Sequence, residues 1–269
     1  MKTVLITGST DGIGLETAKR LAARGHSVLL HGRNAAKLAA AKEAVANVPS
    51  AGHVAGYLAD LSNMADVADL AKAIARDHDR LDVLINNAGI LKAPHALTSD
   101  GIDIRYAVNT LAPYLLTDQL LSVLGRDGRV INLSSAAQES VNLDVMEGRT
   151  HTSELSAYAQ SKLAITIWSR ALAADLPDGP VVIAVNPGSL LGSKMVSEGF
   201  GIAGGDLGKG ADILIRAAMD DAFSGASGLY FDNDRGAFAD PHRDALDPTA
   251  SRRVIAHIKA TLSRLCVTG

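Results

Sequence analysis

The sequence has few of the features that mark a secreted, membrane-spanning or nucleic-acid-binding protein. One of its 269 residues is cysteine, Cys266, so no internal disulfide can form and we expect a reducing compartment, the cytoplasm. No run approaches roughly 18 consecutive apolar residues, and no signal-peptide pattern opens the chain, so we expect no membrane partner. The net charge of −3 offers no basic footprint for nucleic acid, so we expect none to bind.

Metal-ligand patterns are also absent from the sequence. The eight histidines are dispersed, and none stands in an HExxH or a Cys/His arrangement. Asp240, His242 and Asp244 alternate near the C-terminus, but a solvated loop beside proline explains them better than a cation site. We therefore predict no metal.

Short β-branched runs alternate with longer helical patterns along the chain. Several runs are continuously apolar, which is typical of strands covered on both faces in a parallel sheet. A βαβαβ order then implies right-handed crossovers and a doubly wound sheet. We predict a single α/β domain, 1–269, as a Rossmann-type three-layer sandwich of about seven strands. The predicted strands are 3–7, 27–31, 53–58, 83–86, 129–133, 181–186 and 228–231, and the predicted helices are 12–23, 35–46, 64–78, 104–124, 155–176 and 251–265.

A glycine cluster follows the first predicted strand and opens a helix. Gly8, Gly12 and Gly14 give residues 7–14 the spacing T-G-x-x-x-G-I-G. Glycine allows unusual backbone angles and a close approach to a pyrophosphate, while the helix N-terminus offers free amides to phosphate. This arrangement predicts a dinucleotide-binding turn.

The end of the second predicted strand indicates which dinucleotide binds. An NAD site usually has an acid there for the ribose 2′-hydroxyl, whereas this chain has Arg33, followed by Asn34. An arginine can hold a 2′-phosphate with a bidentate fork, so we predict NADP(H) over NAD. The alternative for Arg33 is a solvated residue at a helix start, and Asp11 in the glycine turn favours NADP less than a basic residue would.

Tyr158 and Lys162 are four positions apart in a predicted helix, so they share one face. A lysine charge favours the phenolate and should lower the tyrosine pKa, which suits proton transfer near neutral pH. The Tyr-x-x-x-Lys spacing is weak evidence alone. Its position, after the fifth strand and before Asn186-Pro187-Gly188, makes it informative.

Together these motifs resemble the short-chain dehydrogenase/reductase family over nearly the whole chain. The long gap between Ser135 and Tyr158, and the sequence Ser161-Lys162-Leu163-Ala164, resemble its retinol-dehydrogenase-like branch. The matching motifs, in the family's order, are the glycine turn, Asp60-Leu61, Asn86-Asn87-Ala88-Gly89, Val108-Asn109-Thr110, Ser134-Ser135, Tyr158-Ala159-Gln160-Ser161-Lys162 and Asn186-Pro187-Gly188.

The resemblance implies an oxidoreductase that moves a hydride between nicotinamide and a carbonyl or alcohol of a small or medium organic molecule. Tyr158 would be the general acid or base beside Lys162, and Ser135 would bind the substrate oxygen, with Ser134 as the alternative. Asn109 would hold a water next to Lys162, or else bond only to local backbone. The implied cofactor contacts are Gly8, Ser9, Thr10, Asp11, Gly12, Ile13, Gly14, Arg33, Asn34, Asp60, Leu61, Asn87, Ala88, Gly89, Tyr158, Lys162, Pro187, Gly188 and Leu190.

Two segments depart from the common family pattern. We expect the extra residues 136–157 to form a wall of the substrate pocket, the alternative being a peripheral loop. We expect the glycine-rich residues 189–210 to form a substrate lid, the alternative being a plain flexible loop. Gly192 stands where the family often has a threonine that holds the nicotinamide carboxamide, which leaves Ser193 or backbone groups for that contact.

Two other functions use the same fold. A regulatory protein that binds the cofactor without catalysis would need the glycine turn alone, so the complete set of Ser135, Tyr158, Lys162 and Asn109 argues against it. An epimerase or dehydratase of nucleotide sugars usually adds a C-terminal substrate domain, for which this chain is short. The apolar helices predicted at 104–124 and 155–176 suggest faces shared in a homodimer or homotetramer.

Overall fold

Eight strands form one sheet in the computed structural model, which describes residues 1–267, with the side chains of Phe200, Cys266 and Val267 left out. The strands are β1 (Thr3–Ile6), β2 (Ser27–Gly32), β3 (Val54–Leu58), β4 (Val83–Asn86), β5 (Arg129–Leu133), β6 (Val181–Asn186), β7 (Tyr230–Asp232) and β8 (Ala237–Ala239). Their order across the sheet is β3-β2-β1-β4-β5-β6-β7-β8. Neighbouring strands pair in parallel, except that β7 and β8 are antiparallel.

Helices cover both faces of the sheet. They are α1 (Gly12–Ala22), α2 (Ala35–Ala46), α3 (Met64–Asp77), α4 (Ile104–Tyr106), α5 (Ala112–Leu124), α6 (Leu143–Met146), α7 (Glu154–Asp175), α8 (Lys194–Phe200), α9 (Leu207–Met219) and α10 (Pro248–Val267). A π-helical turn, Ala107–Leu111, joins α4 to α5. None of the helices in the described part of the chain combines the length and apolarity needed to cross a membrane.

Successive strand residues supply two separate hydrophobic cores. In β1, Leu5 packs into the core shared with α3, α5 and α7, whereas Val4 and Ile6 pack into the core shared with α1, α2 and α9. Adjacent side chains of a strand point to opposite faces, so a strand covered on both sides must be apolar throughout. The predicted doubly wound α/β sheet between two helix layers is therefore confirmed.

Short polar side chains begin several of the helices. Asn34 accepts a hydrogen bond from an amide of the first turn of α2, Asn63 does so for α3, Ser153 for α7 and Asp206 for α9. Each such cap satisfies an amide that has no partner inside the helix and contributes about 1 kcal/mol.

The predicted elements differ from the observed ones mainly after residue 190. α8, α9 and β8 are absent from the prediction, because glycines interrupt the helical pattern as far as the first turn of α9, which contains Gly208 and Gly210, and because β8 has only three residues. The apolar residues of α5 and α7 also lie within the chain's own core, with Leu116, Leu120 and Trp168 almost fully buried. Their apolarity therefore gives no independent argument for an oligomer.

Candidate active site

A cleft of about 810 Å³ lies at the carboxyl ends of the parallel strands. The sheet order reverses between β1 and β4, and ligands of doubly wound folds bind at that point. The cleft extends from Arg33, after β2, past the glycine turn to Tyr158 on α7. All of the predicted cofactor contacts line it except Ser9 and Gly14.

Ser9 and Gly14 shape the glycine turn from behind and do not line the cleft. Ser9 is fully buried, and its Oγ accepts a hydrogen bond from the amide of His31 at 2.9 Å. A Cβ at Gly14 would lie 2.5 Å from both Nδ2 of Asn87 and the carbonyl oxygen of Gly8. Glycine is therefore needed at position 14 for packing within the protein.

The glycine turn is held against the end of β4. Gly8 and Gly12 have φ values of 63° and 55°, which favour glycine. Nδ2 of Asn87 donates to the carbonyls of Thr7 and Gly8 at 2.8 and 3.0 Å. Asp11 begins α1 by accepting from the amide of Gly12 at 2.7 Å. The backbone that would face a pyrophosphate is thus fixed in place.

His31 supports the glycine turn from β2, although it belongs to none of the predicted motifs. Its Nδ1 accepts from the amide of Gly8 at 3.1 Å, and its Nε2 lies 3.1 Å from the carbonyl oxygen of Ala59. Burial lowers the pKa of His31 to about 4, so the ring is neutral, with Nδ1 as acceptor and Nε2 as donor. A polar side chain inside an otherwise apolar strand was the available signal.

Two cations stand at the far end of the cleft, Arg33 and Lys37. Both side chains are exposed, and within residues 1–267 neither forms an ion pair with a carboxylate. Oδ1 of Asn34 accepts from the amide of Lys37 at 3.0 Å, which starts α2 and places Lys37 one turn after Arg33. Lys37 was missed because no recognised motif includes it.

Tyr158, Lys162 and Ser135 meet at the other end of the cleft. Ser135 hydrogen-bonds to the hydroxyl of Tyr158, and Nζ of Lys162 lies 5.6 Å from the centre of the tyrosine ring. Nζ of Lys162 also donates to the carbonyl of Leu133 at 2.7 Å. The structure thus brings these three predicted residues together.

The pKa values differ from the sequence-based expectation. Burial raises the pKa of Tyr158, and the Ser135 hydrogen bond opposes that rise. Burial also lowers the pKa of Lys162 to about 8. Desolvation penalises the charged form of each group and outweighs the attraction that a lysine charge exerts on a phenolate. The expected lowering of the tyrosine pKa by Lys162 is thus not found in the protein alone.

Ser134 and Ser135 have different surroundings. Ser134 is buried; its Oγ lies 2.6 Å from Oγ1 of Thr166 and donates to the carbonyl of Lys162 at 3.1 Å. Ser135 is half-buried and reaches the tyrosine hydroxyl. The geometry favours Ser135 as the serine that meets a substrate.

Asn109 lies in the π-helical turn and is fully buried. Its Oδ1 accepts from the amide of Ile90 at 2.8 Å, while Nδ2 donates to the carbonyl of Ile90 and to Oγ of Ser161, both at 3.0 Å. A Cβ at Gly89 would lie 3.3 Å from Nζ of Lys162 and 3.4 Å from Oδ1 of Asn109. Asn109 therefore bonds to distant chain segments, not to local backbone, and shares the space beside Gly89 with Lys162.

The two unusual segments contribute unequally to the cleft. Of residues 136–157, only Ala137 and Leu155 line it, so the expected wall is confined to the two ends of this segment. Its middle packs into the protein away from the cleft: Val145 and Met146 are buried in the core, and Glu147 lies 2.9 Å from His257 of α10. From 189–210, the lining residues are Ser189, Leu190, Leu191, Ser193, Lys194, Met195 and Val196.

Among the described residues, no group of three or more histidine, cysteine or acidic side chains could hold a metal ion. His242 and Asp244 lie 3.7 Å apart at the surface, and the amide of His242 bonds to Gln138 instead.

Comparisons with known proteins identify the family of the chain. The sequence pattern described as short chain dehydrogenase matches residues 2–200. Retinol dehydrogenase 13 of Homo sapiens is 32% identical over 275 residues, which cover 95% of this chain and 82% of that protein.

Solved structures give the same result. A protein of Mycobacterium paratuberculosis superposes with a TM-score of 0.80 at 29% identity, covering 98% of this chain and 94% of that one. A short-chain dehydrogenase of Burkholderia cenocepacia in complex with NADP has a TM-score of 0.70 at 28% identity, covering 86% and 95%. This chain belongs to the short-chain dehydrogenase/reductase family of oxidoreductases, in its retinol-dehydrogenase-like branch.

Proposed function

We propose that the protein is an NADP(H)-dependent oxidoreductase that interconverts a carbonyl and an alcohol of a small or medium organic substrate. The observation that carries the proposal is the hydrogen bond between Ser135 and the Tyr158 hydroxyl, inside the cleft and beside Lys162. A protein that only senses a cofactor has no need of a proton donor at this place.

The residues of the chain would divide the chemistry as follows. Tyr158 gives its proton to the carbonyl oxygen in reduction and takes it back in oxidation, as general acid or base. Ser135 donates to the same oxygen and orients it. Lys162, anchored at the carbonyl of Leu133, holds a positive charge near the phenol, and Asn109 holds the backbone of Ile90 in the loop after β4. The bound nicotinamide supplies or accepts the hydride.

The residues present fit a dinucleotide cofactor. The positive φ values of Gly8 and Gly12 open the turn toward the cleft, and the side chains of Asn87 and His31 hold it from behind. Arg33 and Lys37 would bind the 2′-phosphate of NADP, since both cations line the cleft at the position where an NAD site carries an acid. The NADP complex of the Burkholderia cenocepacia relative supports this preference.

Cofactor preference can be tested at Arg33. We expect Arg33→Ala to lower kcat/KM for NADPH on the order of tenfold or more and to leave kcat/KM for NADH nearly unchanged, because only NADPH has the phosphate. Lys42→Ala, on α2 but outside the cleft, is the matched control. An NADPH preference that persisted in Arg33→Ala would remove this residue from the proposal.

Much of the wall of the cleft is apolar, which favours an uncharged organic substrate. Leu91, Leu155, Leu190, Leu191 and Val196 are among the residues that line it. We propose that 189–210 acts as a lid over such a substrate, with Ser193 available for the carboxamide of the cofactor.

We also propose that the protein forms a homodimer or homotetramer, by family resemblance. We propose a cytoplasmic location from the single cysteine.

Screening NADPH oxidation against a panel of ketones, aldehydes and quinones tests the activity. We expect turnover with at least one apolar ketone or aldehyde. Tight NADPH binding without turnover on any of them would instead favour a regulatory protein.

A further inference from the structure

The backbone carbonyl of Ser135 is held by two side chains from different parts of the fold. The hydroxyl of Tyr230, in β7, donates to this oxygen at 3.1 Å. Nε2 of Gln138 donates to it at 3.0 Å. Oε1 of Gln138 in turn accepts from the amide of His242 at 2.9 Å. The loop after β5 is therefore bonded to β7, two strands away in the sheet, and to His242 in the chain beyond β8.

These contacts have a specific effect on the loop. Residue 135 lies beyond β5, which ends at Leu133, so regular strand pairing does not orient its peptide. Two hydrogen bonds to one carbonyl fix the plane of the peptide and hence the direction of the Ser135 side chain. Tyr230 is only 4% exposed. A buried phenol hydroxyl without a partner costs free energy, so the folded chain favours keeping its hydrogen bond to the Ser135 carbonyl.

We propose that Tyr230 and Gln138 are positioning residues that aim the hydroxyl of Ser135 at Tyr158 and at the substrate oxygen. Neither residue lines the cleft, so both act through the Ser135 peptide. This proposal rests on the proposed function, because it assigns Ser135 to the reaction.

Steady-state kinetics of Tyr230→Phe test the first part, with the ketone that the panel identifies as substrate. Loss of one neutral hydrogen bond should lower kcat about fivefold and leave KM for NADPH within about twofold, because the cofactor site is untouched. Tyr114→Phe is the matched control, since Tyr114 packs edge-on against Trp168 away from the cleft. Gln138→Met, which keeps the length of the side chain and loses the donor, should act in the same direction.

A spectroscopic titration supplies a readout that needs no substrate. The near-ultraviolet absorbance of tyrosinate, taken as the difference between each protein and the same protein carrying Tyr158→Phe, reports the pKa of Tyr158. Because the Ser135 hydrogen bond lowers that pKa, displacing Ser135 should raise it in Tyr230→Phe and Gln138→Met. The other charged groups of the cleft, Asp11, Arg33, Lys37, Asp60 and Lys194, and the neighbouring Lys162, stay the same in both variants.

The outcomes separate this proposal from the proposed function. A folded Tyr230→Phe or Gln138→Met with unchanged kcat and an unchanged Tyr158 pKa would overturn the positioning role and leave the oxidoreductase assignment intact. Loss of kcat together with an equal loss in Tyr114→Phe would also overturn it. If Tyr158→Phe itself keeps its turnover, the proposed function fails, and the titration alone still decides whether Tyr230 and Gln138 control Ser135.

Discussion

Burial sets the charge of the individual side chains around the cleft. It raises the pKa of Tyr158, lowers that of Lys162 to about 8 and lowers that of His31 to about 4. All three shifts favour the neutral form, because water is excluded from these positions. At neutral pH the site therefore has a neutral phenol, a neutral imidazole and an ammonium group close to its own titration range.

The lowered pKa of His31 predicts how the free energy of unfolding depends on pH. Its pKa is about 4 in the folded chain and 6.5 when unperturbed, so its contribution is complete above pH 6.5 and is lost as the pH falls toward 4. The shift corresponds to roughly 3 kcal/mol. We expect His31→Leu to be about 1–3 kcal/mol less stable than wild type at pH 7, since the Gly8 amide and the Ala59 carbonyl lose a partner.

Urea unfolding at pH 7 and pH 4 measures both effects. Wild type should lose more stability over this interval than His31→Leu, whereas the exposed-site control His95→Leu should behave as wild type. Identical losses in wild type and His31→Leu would show that the imidazole does not titrate as described.

At the scale of the elements, backbone hydrogen bonds hold residues 190–192 against residues 204–205. They form a closed neck at the base of the segment that contains α8. The amide of Gly205 donates to the carbonyl of Leu190, and the amide of Gly192 donates to the carbonyl of Gly205, both at 2.7 Å. At Gly204, with φ of 73°, a Cβ would lie 2.6 Å from the Cα of Gly192. The chain therefore enters and leaves the segment between Gly192 and Gly204, which includes α8, at the same place. This arrangement suits the proposed lid.

Gly204→Ala should open this neck. Gly201→Ala is the matched control, because Gly201 has a similar φ of 69° and nothing within 4 Å of its Cβ position. Both substitutions bear the cost of a left-handed alanine, about 1 kcal/mol, but only Gly204→Ala also meets backbone. We expect faster amide hydrogen exchange across 190–205 and a higher substrate KM in Gly204→Ala than in Gly201→Ala. Equal behaviour of the two variants would argue against a closed neck.

In the molecule as a whole, the cleft is built from both halves of the sheet. The glycine turn and Arg33 come from the β1–β3 half, whereas Tyr158 and Lys162 follow β5. A ligand that spans the cleft therefore adds a link between two halves that already meet through β1 and β4 and through the packing of α1 against α9. Trp168, 1% exposed and packed against Tyr114, lies in the core beneath the second half.

Thermal unfolding followed by Trp168 fluorescence should show this linkage. At a free NADPH concentration about 100 times Kd, binding adds about 2.7 kcal/mol. For a chain of this size that raises Tm by roughly 5–10 °C. NADH at the same concentration should raise it less, and Arg33→Ala should remove most of the difference. Equal shifts with the two cofactors would contradict the NADP preference.

How much the sequence could predict depends on the range of the interactions involved. The strands and the glycine turn were predictable because apolar runs and Gly8–Gly12 spacing are local signals. Tyr158, Lys162 and Ser135 could be placed together because each follows a parallel strand, and the carboxyl ends of those strands meet at one edge.

The rest depends on contacts between distant residues. Ser9 and Gly14 belong to the motif, yet Ser9 bonds to the amide of His31 and Gly14 packs against Asn87 and Gly8 within the protein. The raised pKa of Tyr158 follows from burial, which spacing along a helix does not specify. Tyr230 reaches Ser135 across 95 positions of the chain, and no local pattern announces such a contact.

The central claim is that Tyr158 transfers the proton, and Tyr158→Phe tests it most directly. The variant keeps the ring beside Lys162 and loses only the hydroxyl that bonds to Ser135. The two measurements are kcat with the substrate from the panel and Kd for NADPH by titration. We expect kcat to fall by at least about 100-fold while Kd changes less than about threefold. A Tyr158→Phe protein that binds NADPH and retains most of its turnover would contradict the account.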